Sequence, residues 1–133
     1  MGQWGLSDSP VPGAIAAARL RALRMALLAL HKALLDHERI RYEREHGRIE
    51  SSGQALRLVM TDPWFAWLRP ASALIVQADE KLDGSDGVSG ADVTAFATQV
   101  RQLMQGSEYE RSLQESPEVV MAHGRLTTAL SQP

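Results

Sequence analysis

With 133 residues, 44% apolar and 23% charged, the chain has the composition of a folded domain and points to neither disorder nor a membrane-embedded body. A formal charge of −2 argues against a generally basic nucleic-acid binder, so nucleic acid is not the expected partner. The lack of cysteine excludes disulfides, thiolate metal sites and a thiol nucleophile.

Residues 1–13 are expected to form a flexible N-terminal segment ahead of a single helical domain over 14–131. Met1 to Gly13 carries no basic region of a secretory signal, and Arg19, Arg21 and Arg24 interrupt the apolar text that follows. Those arginines also prevent Ala14 to Leu30 from reading as a membrane span, which needs about 20 predominantly apolar residues. The expected setting is cytoplasmic. Lysine occurs only at Lys32 and Lys81, an arginine bias expected of a GC-rich bacterial genome.

The dominant predicted element is one long helix from about Ala14 to His46. At 100° per residue, Leu20, Leu23, Leu27, Leu28, Leu30, Leu34 and Leu35 fall on one stripe. The same stripe runs on through Glu38, Arg41, Tyr42 and Glu45, so its chemistry changes from apolar to charged. Such a helix is about 50 Å long at 1.5 Å rise per residue. A domain of this size has a radius of gyration of about 14 Å, so part of the helix is expected to project, bend or pack on a second chain.

Gly47 is the expected terminator, because glycine takes the left-handed conformation that closes helices. Ser51 or Ser52 then caps a short helix holding Ala55, Leu56, Leu58 and Val59, which ends near Met60. Asp62-Pro63 opens a turn or two holding Trp64, Phe65, Trp67 and Leu68, and Pro70 opens the next helix, whose stripe is Ala71, Leu74, Ile75, Ala78 and Leu82. The stretch Gly84 to Gly90 reads as the main loop. Val93, Phe96, Ala97, Val100, Leu103 and Met104 make the clearest amphipathic helix, ended by Gly106. Ser107 and Glu110 have capping-box spacing for a short continuation. Ser116-Pro117 starts the last helix, with an expected stripe of Val119, Val120, His123, Leu126, Thr127 and Leu130. The sum is an all-α bundle of about four main helices and two short ones.

Several constellations bear on function. Glu43 and His46 have the Glu-x-x-His spacing of a di-iron site, but no second pair follows, so no metal site is expected there. His31 and His123 lie on apolar faces, where two histidines could ligate a haem or a metal, with Glu38, Tyr42 and Glu45 as further candidates. The blander reading makes each a boundary histidine satisfied by a local partner. Asp79, Asp83, Asp86 and Asp92 do not keep EF-hand spacing. Arg39, Arg41, Arg44 and Arg48 each have a carboxylate neighbour, which predicts a salt-bridge-laced face rather than a phosphate site.

The segment Asp62 to Pro70 concentrates aromatics and an arginine. It either plugs the bundle end or anchors an interface through Arg41, Trp64, Trp67 and Arg69. No nucleophile elbow or phosphate loop is present, which leaves an enzyme as the least supported class. The expectation is a non-enzymatic helical interaction protein that forms a homodimer and carries no cofactor. The alternative is a small-ligand, haem or metal-binding bundle built on His31, Glu38, Tyr42, Glu45 and His123.

Overall fold

A computed structural model describes residues 12–132. Six α-helices and one 3-10 helix make up these residues, with no strand among them: α1 (Pro12–His46), α2 (Ser52–Thr61), the 3-10 helix (Pro63–Leu68), α3 (Arg69–Asp83), α4 (Gly90–Leu103), α5 (Ser107–Glu115) and α6 (Pro117–Leu130). The expected lead-in over 1–13 falls outside the described residues up to residue 11, and α1 takes in Pro12 and Gly13. No helix among the described residues is long and apolar enough to cross a membrane.

α1 is the axis of the fold. Ala16, Leu20, Leu23, Leu27, Leu30, Leu34 and Glu38 are its buried positions, spaced in steps of three or four as a helix seam requires. α6, α3 and α4 pack against this seam. The chain order and the contacts orient them: Arg19 reaches the Gln132 carbonyl (2.9 Å) and His37 meets Glu115 just before α6, so α6 runs antiparallel to α1. Arg24 pairs with Asp79 and His31 with Ser72, which makes α3 antiparallel as well. Each fully buried leucine of the seam contributes about 1.5–3 kcal/mol of apolar transfer free energy.

Helix ends follow the local text. Gly47 closes α1 at φ +88°, and Glu43 Oε2 accepts from the Ile49 amide (2.9 Å) just beyond the turn. Ser51 caps α2 through the Gln54 amide (3.1 Å), Asp62 caps the 3-10 helix through the Trp64 amide (2.9 Å), and Ser116 caps α6 through the Val119 amide (3.2 Å). The capping box lies elsewhere than expected. Ser89 and Asp92 form one at the start of α4, while α5 begins after Gly106 with no side-chain cap, and Ser107 turns to Glu108 instead.

Three stripe assignments are corrected. Leu28 on α1 and Val120 and Thr127 on α6 are exposed, because the covering helices reach only positions nearer the centre of each face. The second half of α1 meets the 3-10 helix through Tyr42 and α5 through Glu38, while Ile40, Arg44, Glu45 and His46 are exposed.

Candidate functional site

Where the seam of α1 turns polar, it carries Glu38, only 1% exposed. A buried carboxylate must be paired and hydrogen-bonded to be tolerated. Arg41, one turn on, donates from Nη1 to both oxygens at 2.9 and 3.2 Å, and Arg111 on α5 donates from Nη2 to Oε1 at 3.3 Å. Arg41 Nε also lies 3.8 Å from Glu115 Oε1, which in turn meets His37 Nε2 at 2.9 Å. A chain of polar side chains, His37, Glu115, Arg41, Glu38 and Arg111, therefore ties α5 to α1.

An aromatic cluster adjoins it. Tyr42 packs on Phe65 (5.6 Å between ring centres), edge-on to Trp64 (5.7 Å) and against His46 (4.6 Å). The Arg41 guanidinium sits 5.0 Å from the Trp64 ring centre, a cation–π contact. Trp64 and Trp67 are both partly buried against the core. Arg69 turns inward, donating to the carbonyls of Val59 (3.2 Å) and Asp62 (2.7 Å), and so staples the 3-10 helix to the end of α2. Beside this cluster a cleft of about 330 Å³ is lined by Glu38, Arg41, Trp64, Trp67, Glu108 and Arg111. The Nε atoms of Trp64, Trp67 and Arg111 are buried without a hydrogen-bond partner.

The ligand set expected from sequence is not assembled. His31 faces α3, where Nε2 lies 2.9 Å from Ser72 Oγ, and burial lowers its pKa below 6.5. His123 faces α5, with Nδ1 2.6 Å from the Tyr109 hydroxyl. Burial pushes the Tyr109 pKa up to about 12, so the phenol keeps its proton. Glu45 is exposed. Of the set, Glu38 and Tyr42 belong to adjoining clusters, linked through the contact of Arg41 with Trp64. No group of three or more histidines and carboxylates among the described residues is placed to hold a metal ion.

The arginine face also differs from expectation. Among the described residues Arg41 alone of the four arginines makes an ion pair, because Asp36 is taken by Lys32 and Glu43 by the Ile49 amide. Arg111, Glu115 and His37 were not singled out by sequence. The available signal was the position of Glu38 on a core stripe, which demands a cation from some other element.

A groove of about 500 Å³ lies between α1 and α2, lined by Leu35, Arg39, Ile49, Ala55, Leu56 and Val59 among others. Comparisons with protein-family models, curated proteins and solved structures found no match for the chain.

Proposed function

We propose that the protein is a non-enzymatic interaction protein that self-associates, with the groove between α1 and α2 as its contact surface. The observation that carries this reading is the exposure of α2. Of its apolar residues Ala55, Leu56, Leu58, Val59 and Met60, Ala55 alone is buried, while Leu56 and Met60 are 60% and 63% exposed. They lie one turn apart on the face that borders the groove. Exposed apolar surface gathered beside a concave apolar strip is characteristic of interaction sites, unlike single scattered residues. Leu28 extends the strip, since it precedes Leu35 by seven residues and lies on the same side of α1.

A second copy of this chain is the occupant the rim favours. Arg39 and Glu50 both line the groove, and neither makes an ion pair among the described residues. Two-fold pairing of identical grooves sets each Arg39 opposite the partner copy's carboxylate and each apolar strip against its equal. The same reading keeps a bacterial setting, on the arginine bias.

Light scattering coupled to size exclusion tests it. At micromolar concentration the expected mass is twice the chain mass of 14.6 kDa, and Leu56→Glu is expected to return the monomer without loss of helicity. A wild-type monomer across that range overturns the proposal.

A further inference from the structure

Residues 47–61, from the end of α1 through α2, are attached to the bundle differently from the rest. Their two buried side chains, Ile49 and Ala55, lie outside the principal core, which joins α1, the 3-10 helix, α3, α4, α5 and α6. Leu58 and Val59 reach that core only partly buried, and α2 packs chiefly on the 3-10 helix. No ion pair among the described residues involves this stretch.

The hydrogen bonds tell the same story. The N-terminal caps of α2 are its own, since Ser51 Oγ accepts from the Gln54 amide and Gln54 Oε1 from the Glu50 amide (2.8 Å), so they move with the helix and do not anchor it. Two side chains hold the stretch to its neighbours. Glu43 Oε2 accepts from the Ile49 amide, and Arg69 of α3 donates to the carbonyls of Val59 and Asp62, the former one of the carbonyls that the last turn of α2 leaves open. Gly47, at φ +88° with no atom within 4 Å of where a Cβ would stand, and Asp62, in extended backbone, interrupt the helices on either side.

Segments with few buried apolar contacts open at a lower free energy than the core they adjoin. We propose that residues 47–61 form a flap, hinged at Gly47 and Asp62 and latched by Arg69, that opens while the bundle stays folded. Opening uncovers Leu35 and widens the groove between α1 and α2. The flap sets how much apolar surface the groove presents, and it works within one chain, whether or not two chains pair there.

The lack of cysteine makes thiol labelling a clean test. Ala55→Cys reports on the flap, and Ala97→Cys on α4 is the control, because the two alanines are 9% and 8% exposed and differ in that only Ala97 belongs to the principal core. In dilute protein with excess iodoacetamide, Ala55→Cys is expected to alkylate about 100-fold faster than Ala97→Cys. Arg69→Met keeps an apolar stem and removes the latch, so it is expected to raise the Ala55→Cys rate about tenfold and leave the Ala97→Cys rate unchanged. Static access at Ala55 is indifferent to Arg69, and general destabilisation speeds both thiols alike. Equal rates for the two thiols, or an Arg69→Met effect that is absent or shared by both, overturns the proposal. A monomeric mass in light scattering leaves these rates as expected, so failure of self-association and failure of the flap are read separately.

Discussion

From Ala16 to Leu34 the inward positions of α1 meet the apolar faces of α3, α4 and α6. At Glu38 and Tyr42 the same register meets two guanidinium groups and two aromatic rings. In the first half any apolar surface of the right volume serves, and contact area sets the energy. In the second half the covering element must present a cation at one place, and Arg111 of α5 does so across a sequence separation of 73. The charged half thus selects which segment covers the axis, while the apolar half supplies most of the burial.

The comparison is broken most severely from the apolar side. Leu27 is 2% exposed at the middle of the seam, and Leu27→Ala is expected to cost about 2–5 kcal/mol in urea unfolding, by lost transfer energy and an unfilled cavity. Glu38→Gln keeps the shape and removes the charge, leaving two arginines that still reach water through side chains 20% and 35% exposed. Its expected cost is smaller, about 1.5–3 kcal/mol, the range for hydrogen bonds to charged groups. Replacing Glu38, Arg41 and Arg111 together by leucine, leucine and methionine sharpens the contrast. This variant is expected to be more stable than Glu38→Gln alone, since apolar side chains replace a buried ion set without leaving a charge unpaired. A triple variant less stable than the single one would place the energy of this end in the charges themselves.

Much of the apolar half was legible, because its information is local. Leu20, Leu23, Leu27, Leu30 and Leu34 repeat at helix spacing, and Gly47, Ser51, Asp62-Pro63 and Ser116-Pro117 mark ends by chemistry contained within three or four residues. The charged half was legible only as a demand. Glu38 on a core stripe announces that a cation will come, but nothing near it in sequence names Arg111, and the Arg41 interaction one turn away resembles any surface pair. His31 and His123 show the same limit. Each lies on the face expected of it, yet the neighbours that satisfy them, Ser72 and Tyr109, come from other helices. A shared pole of two histidines was therefore a projection of two wheels onto one axis, and the third dimension separates them.

Tyr109 offers a smaller test on the α5 and α6 side. Its hydroxyl is held by His123 at 2.6 Å while the residue is 1% exposed, so Tyr109→Phe preserves the packing and leaves Nδ1 without its partner. The expected loss is about 0.5–1.5 kcal/mol, below that of Glu38→Gln because no carboxylate takes part in this hydrogen bond. Equal losses for the two variants would mean that charge adds nothing at the polar end beyond an ordinary hydrogen bond.

The smallest effect belongs to His31, which sits in the apolar half yet is polar, and it is read through pH. Burial beside α3 lowers its folded pKa below 6.5, so the folded chain holds the neutral ring where the unfolded chain takes up a proton. Above pH 6.5 neither state is charged, and His31 adds no pH dependence. As pH falls through 6.5 the unfolded state binds more protons than the folded state, and stability declines until the folded ring titrates in its turn. His31→Gln retains a partner for Ser72 and lacks this titration. The stability of the wild type relative to the variant, measured by urea unfolding, is therefore expected to fall between about pH 7.5 and 5.5. The other histidines are common to both proteins and cancel. A relative stability that stays level or rises toward acid would show that the ring is protonated inside the fold as readily as outside it, and that the seam of α1 is already polar one turn before Leu34.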